Sequence, residues 1–128
     1  MAQRRRRRGI SLVEVMVTIA IILTLMAVLG IGVFRNWQWS KVQTTKLSMT
    51  RVGQEIEVYR IRKGHPPTTA EGLGGVMGGD NPLDAWDRPF EYRSPGADGA
   101  DYQLVSLGGD GQEGGEDWNE DIVWSSLH

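Results

Sequence analysis

The chain has no cysteine and only two histidines in 128 residues. Disulfide staples, cysteine-rich zinc sites, iron–sulfur clusters and thiol nucleophiles are thereby excluded. Proline is missing from the whole interval between Ile10 and His65, so no ring there forces a helix to break. Charge is almost missing from Leu12 to Phe34, where Glu14 is the single ionisable side chain. Bases are scarce at the other end: from Asp80 onward twelve acidic residues face only Arg88 and Arg93. Also missing are a nucleophile–base pair, a phosphate-binding loop and a carboxylate pair in a cleft, so the chain reads as no enzyme.

What is present is asymmetric. The formal charge of −2 averages five consecutive arginines, residues 4–8, against the acidic C-terminal half. The 23 residues from Leu12 to Phe34, at ~1.5 Å each, span about 35 Å, enough to cross the ~30 Å hydrocarbon core of a bilayer. Five arginines before this run and Arg35 after it place the N-terminus in the cytoplasm and the remainder outside. A secretory signal peptide has a shorter apolar core, ~7–15 residues, so this anchor is expected to stay. A basic run is also a nucleic-acid signature, but beside an anchor it reads as an orientation signal, with no nucleic-acid partner. Trp37 and Trp39 fit an interfacial aromatic belt.

From Arg35 to Lys63, Val42, Thr45, Met49, Val52, Ile56 and Tyr59 recur at alternating intervals of three and four. That spacing predicts one apolar stripe on a helix, continuous with the anchor and ended by Gly64-His65-Pro66-Pro67. His65 reads as a turn residue at that stop. Thirteen of seventeen glycines lie from Gly64 onward, so the rest is loop-rich. Alternation in Pro89–Arg93 and Asp101–Leu107 predicts two short antiparallel strands, with Trp86, Phe90, Tyr92 and Trp124 in their core. The sheet would pack on the helix stripe, giving an α+β fold. The expected organisation is 1–9 leader, 10–34 membrane helix, 35–63 amphipathic continuation and 64–128 globular head.

Two features carry chemistry. A carboxylate within a membrane segment costs roughly 2.5–3.5 kcal/mol, so Glu14 either reaches interfacial water or meets a partner. Cleavage after Gly9 would create that partner, because the freed α-amino group of Ile10 on a neighbouring copy could neutralise Glu14 and set the register between subunits. The second feature is the segment from Leu107 to Ile122. It concentrates Asp110, Glu113, Glu116, Asp117, Asn119, Glu120 and Asp121 among glycines. Such a loop is either solvated or closed around a hard cation such as Ca²⁺, which takes six to eight oxygens including carbonyls. The spacing is not that of an EF-hand.

Gly9-Ile10-Ser11-Leu12-Val13-Glu14-Val15-Met16-Val17 resembles the leader junction of type IV pilins and type II secretion pseudopilins. Ile10 stands where that family usually has Phe, and Ile31 where many members have Pro, which moves the candidate bend to Gly30 and Gly32. Further along, Asp84-Ala85-Trp86-Asp87-Arg88-Pro89-Phe90-Glu91-Tyr92, Ser94-Pro95-Gly96, Ser106 to Gly115 and Asp121-Ile122-Val123-Trp124 occur in order. This succession is similar to the major pseudopilins, the protein G family of the general secretion pathway.

The resemblance implies a pilin-like lollipop whose leader is cut between Gly9 and Ile10 by a prepilin peptidase, with Ile10 then N-methylated and Glu14 as the assembly glutamate. It implies a homopolymer, the periplasmic pseudopilus, that works with minor pseudopilins and an inner-membrane assembly platform to drive folded proteins across the outer membrane. Before assembly the chain would be a single-pass inner-membrane protein among lipid, with its head in the periplasm. A structural Ca²⁺ is implied at the Leu107 carbonyl, Asp110, Asp117 and Asp121, with Glu120 and Asn119 as further candidates. The rivals are a type IV pilin, which usually closes its C-terminal loop with a disulfide, a minor pseudopilin, and a monomeric bitopic sensor or enzyme.

Overall fold

The computed structural model describes residues 9–126, so the leader arginines 4–8 lie outside the described residues. Helix α1 runs from Leu12 to Lys63. The chain divides into two units, Met1–Asn36 and Trp37–His128.

In the first unit the helix buries nothing. Every described residue is exposed, including Leu12 (77%), Leu29 (67%) and Val33 (69%). Its most apolar window has a mean hydropathy of 2.7, and α1 is long and apolar enough to cross a membrane. Helical pairing continues through Gly30 and Gly32, where an added β-carbon would meet nothing within 4 Å. With no proline to remove a donor, the two glycines stay within the helix.

In the second unit the same helix becomes one wall of a core. Val42, Thr45, Met49, Val52, Gly53 and Ile56 are buried, one stripe at helical spacing. Tyr59 departs from the expected stripe: it is half-exposed and meets His65 edge-on at 6.4 Å. Gly64 stops the helix at φ +83°, its N–H donating to the Arg60 carbonyl at 2.7 Å, a backbone conformation that glycine adopts without steric cost. A Thr68–Glu71 pair then fixes the next turn. The Thr68 N–H donates to Glu71 Oε2 at 2.8 Å and the Thr68 hydroxyl to the same oxygen at 3.1 Å. These bonds to the charged form hold the Glu71 carboxyl below its ordinary value.

Three antiparallel strands form a meander: β1 (Glu91–Arg93), β2 (Gln103–Ser106) and β3 (Ile122–Ser125). Tyr92 sits opposite Leu104, and Leu104 opposite Trp124. The third strand was not anticipated as a strand; its pairing makes β2 central, which is why Leu104, Val105 and Ser106 are all buried. Met49, Val52 and Ile56 of α1 close on Leu73, Phe90, Tyr92, Tyr102 and Leu104, with Val76, Ile122 and Trp124 packed around them. Each fully buried aliphatic side chain among them contributes ~1.5–3 kcal/mol of apolar burial.

Polar ends within this core are satisfied. Tyr92 Oη donates to the Pro67 carbonyl at 2.6 Å and Tyr102 Oη to Glu57 Oε1 at 2.9 Å. Burial pushes the Tyr92 phenol up to about 12 and also raises that of Tyr102, where the hydrogen bond to Glu57 adds to the effect. Gly53 provides the space for Trp124, whose ring lies where a Gly53 β-carbon would be. Phe90 and Tyr92 are core as expected. Trp86 and Trp124 are only partly buried, and the Trp86 indole donates to Gln38 Oε1 at 3.2 Å.

Candidate functional sites: the helix start and the acidic loop

The first site is built at the point where the chain enters α1. Gly9, Ile10 and Ser11 are non-helical and exposed, with Ile10 at 74%. Ser11 caps the helix, its Oγ accepting from the Glu14 N–H at 3.2 Å and its carbonyl from the Val15 N–H at 3.2 Å. Ser11-Leu12-Val13-Glu14 is thus a capping-box sequence. Thr18 Oγ1 donates to the Glu14 carbonyl at 2.7 Å. Glu14 is exposed in the first turn, where the helix dipole favours a carboxylate. A groove of about 230 Å³ is lined by Ile10, Glu14, Val15, Thr18 and Ile19. The Gly9–Ile10 bond therefore lies in an accessible, non-helical segment, one turn from the carboxylate that its cleavage would concern.

The second site is the loop from Leu107 to Asp121. Its turns are made by the backbone: the Gly111 N–H donates to the Leu107 carbonyl at 3.2 Å and the Gly109 N–H to the Trp118 carbonyl at 2.8 Å. Gly108 is buried at φ +62°, and a β-carbon there would collide with the Asn119 and Glu120 carbonyls at 2.6–2.7 Å. Only glycine allows the two arms of the loop to approach so closely. Asp110 Oδ1 accepts from the Gln112 N–H at 3.1 Å, and Asp121 Oδ2 from the Gly114 N–H at 3.0 Å. Asp117 opens a short 3-10 turn (Asp117–Asn119) at φ +57° and is exposed.

The expected ligands are only partly gathered. Asp117, Glu120 and Asp121 line one cavity of about 230 Å³ together with Trp39, Val42 and Lys46 of α1. Asp110 lies outside that lining, exposed and engaged with Gln112. Among the described residues no three acidic or histidine side chains converge closely enough to hold a metal by themselves. One oxygen does fit a cation: Asp121 Oδ1 is buried with no hydrogen-bond partner. A desolvated carboxylate oxygen in that position is costly unless a cation or donor meets it. The loop thus suits an ion held by Asp121 and backbone carbonyls more readily than one held by a ring of carboxylates.

Sequence reasoning missed the support beneath this loop. Asp84 is 6% exposed. Its Oδ1 accepts from the Trp86 and Arg88 N–H groups at 2.9 and 3.0 Å, and its Oδ2 from Ser106 Oγ at 2.8 Å. Thr45 Oγ1 accepts from the Ala85 N–H at 3.1 Å, fastening the same turn to α1. Arg88 reaches from this turn into the loop, its Nη2 donating to the Gly108 and Gly109 carbonyls at 2.6 and 3.0 Å. The signal was available, since Arg88 is one of only two bases in the acidic half.

An exposed apolar helix with a capped, carboxylate-bearing start, leading into a small sheet with a glycine-rich acidic loop, defines a pilin-like subunit. The family model described as "Prokaryotic N-terminal methylation motif" matches residues 4–30, and "Type II secretion system (T2SS), protein G" matches residues 32–125. The chain belongs to the type II secretion system protein G family. It is 30% identical to the type II secretion system core protein G of Xanthomonas campestris pv. campestris, covering 94% of this chain and 92% of that protein. With the core protein G of Pseudomonas aeruginosa it shares 29% identity over 94% of this chain and 96% of that one. The crystal structure of the major pseudopilin of enterohaemorrhagic Escherichia coli matches with a TM-score of 0.56 at 20% identity, covering 69% of this chain and 89% of that one. The α+β, pilin-like fold is the expected one. The methylation motif together with the apolar helix marks the N-terminal segment as a membrane anchor.

Proposed function

We propose that the chain is a structural subunit, without catalytic activity, that polymerises into the periplasmic pseudopilus of a type II secretion system and helps to move folded proteins across the outer membrane. The observation that carries this reading is the uncovered apolar stretch of α1 from Leu12 to Phe34, with Glu14 in its first turn. Lipid covers that surface before assembly, and the helices of neighbouring copies cover it afterwards. The head lies in the periplasm and the leader in the cytoplasm, the direction in which the arginine imbalance points.

A prepilin peptidase cuts between Gly9 and Ile10 and the new Ile10 amine is methylated. Loss of residues 1–9 leaves 9 Lys+Arg against 16 Asp+Glu, so side-chain charge falls from −2 to −7. The orientation signal thereby vanishes, and the Ile10 amine of one copy becomes free to meet Glu14 of the next. Minor pseudopilins and the inner-membrane assembly platform are its further partners. In the head, Ca²⁺ braces the acidic loop through Asp121, with the Leu107 carbonyl, Asp110 and Asp117 as the remaining ligands the resemblance implies. It supplies charge compensation to a loop with no disulfide.

Intact-mass measurement of the chain purified from its native envelope tests the reading, the expected species starting at methylated Ile10. Cysteine cross-linking between neighbouring copies, with and without Glu14→Ala, then tests assembly. Normal cleavage with lost cross-links is expected. A native chain that retains Arg4–Arg8, or a Glu14→Ala chain that cross-links as well as wild type, would refute it.

A further inference from the structure

The acidic loop carries Asp110, Glu113, Glu116, Asp117, Glu120 and Asp121, and no base of its own. We propose that Arg88 is its built-in cation: the guanidinium, seated among Gly108, Gly109 and Gly111, closes the base of the loop and positions the loop for a divalent ion.

Three observations converge on this role. The first is where the hydrogen bonds go. Arg88 Nη2 donates to the Gly108 and Gly109 carbonyls at 2.6 and 3.0 Å. Carbonyls are oxygens that a hard cation would otherwise use, and the two N–H groups of one guanidinium nitrogen reach two consecutive ones. The second is the shape of the seat. A β-carbon at Gly111, where φ is +70°, would collide with Arg88 Nη1, so the guanidinium occupies the space that the missing side chain leaves. The third is desolvation: Arg88 Nε is buried without a hydrogen-bond partner. An exposed arginine keeps all its donors in water, whereas this half-buried one has withdrawn its Nε–H from solvent to reach the loop.

The arm that delivers the charge is rigid. The Arg88 N–H donates to Asp84 Oδ1 at 3.0 Å, and the Arg88 carbonyl accepts from the Asp84 N–H at 2.7 Å. Asp84 is tied to β2 through Ser106, and the Ala85 N–H to α1 through Thr45. The Arg88 backbone is therefore fixed from the core side, independently of the loop. The reach of the side chain ends at Gly108–Gly111, while the orphaned oxygen of Asp121 lies at the far end of the loop sequence. The two ends are thus served separately: a covalently attached charge at the base, and an exchangeable one near Asp121. The second half of that statement rests on the ion proposed above; the first does not.

The test uses the full chain in detergent micelles: wild type, Arg88→Met, Arg88→Lys, Gly111→Ala and Arg88→Met with Gly111→Ala. Cleavage by a glutamyl endopeptidase at Glu113 and Glu116 reports opening of the loop. In chelator, Arg88→Met is expected to be cut about tenfold faster than wild type, with Arg88→Lys intermediate because an ammonium keeps the charge but not the planar group that fills the seat at Gly111. Gly111→Ala should also raise cleavage with the arginine intact, and the double variant should show less than the combined effects of the two, because the collision with Arg88 is gone and only the strain of a β-carbon at φ +70° remains. Far-UV circular dichroism checks that the head remains folded. Equal cleavage rates in chelator, or effects of the two substitutions that add independently, overturn the proposal. Calorimetry with Ca²⁺ alone reads the positioning role, with about tenfold weaker binding expected for Arg88→Met; unchanged affinity overturns that role. Should the wild type bind no Ca²⁺, the ion reading fails, and cleavage in chelator still decides whether Arg88 closes the loop.

Discussion

Gly53→Ala is the sharpest test of how the head is fastened to α1. Judged by helix propensity, replacing an interior glycine by alanine stabilises a helix by about 1 kcal/mol. The structure reverses that sign. A β-carbon at Gly53 would stand 2.5 and 2.8 Å from Trp124 Cζ2 and Cζ3, about 1 Å inside ordinary van der Waals contact. The ring has little freedom to retreat, because it packs on Tyr102 with centroids 5.7 Å apart and planes inclined by 33°. Overpacking of this kind typically costs ~1–3 kcal/mol. Offset by the helix gain, the net loss reaches about 2 kcal/mol, or roughly 8–16 °C in the melting temperature of a head this size. Thermal melts followed by tryptophan fluorescence measure it, with a red shift as the ring is pushed toward water. In a Trp124→Leu background the obstruction is gone, and Gly53→Ala should stabilise by about 1 kcal/mol. A higher melting temperature for Gly53→Ala in the otherwise wild-type chain would show that the ring–glycine contact does not govern this packing.

Further outcomes follow from the polar framework. Asp84→Ala strands the Trp86 and Arg88 N–H groups and the Ser106 hydroxyl, and should cost on the order of 3 kcal/mol in a denaturant melt; Asp84→Asn keeps an acceptor and should lose about a third of that. The Tyr92 phenol, raised by burial from 10.0 to about 12, binds its proton more tightly folded than unfolded. Its contribution is therefore complete below pH 10 and disappears as pH climbs toward 12. Melting temperatures across that interval should fall for wild type and fall less for Tyr92→Phe; parallel curves would contradict the assignment. If an ion meets Asp121 Oδ1, Ca²⁺ should raise the melting temperature and chelator lower it, with Asp121→Asn abolishing the difference.

The legible parts of the fold were those governed by periodicity. Val42, Thr45, Met49, Val52 and Ile56 announce their burial by spacing alone, because a helix converts spacing directly into a face. Gly64 and the prolines after it announce a stop for equally local reasons. Strand β3 was not legible as a strand, since four residues after an acidic run show no alternation until Leu104 and Val105 of β2 are known to lie opposite them. At the helix start, Gly9, Ile10 and Glu14 stand out because a carboxylate in an apolar run is conspicuous in any context. In the loop, composition marked an electrostatic problem but could not say which oxygens are buried. The answer depends on Gly108 meeting the Asn119 carbonyl and on Arg88 arriving from twenty residues upstream, both of them long-range contacts.

The helix stripe from Val42 to Ile56 forms one wall of the head, and it precedes every strand in the chain. An emerging polypeptide therefore presents its template first, already tethered by the segment before it, and the later, weaker pieces condense on a surface that is waiting for them. Three strands of three or four residues could not hold together unaided. Formation of the head is thus ordered along the chain, and a C-terminal fragment beginning after Lys63 should remain a coil however favourable its own composition.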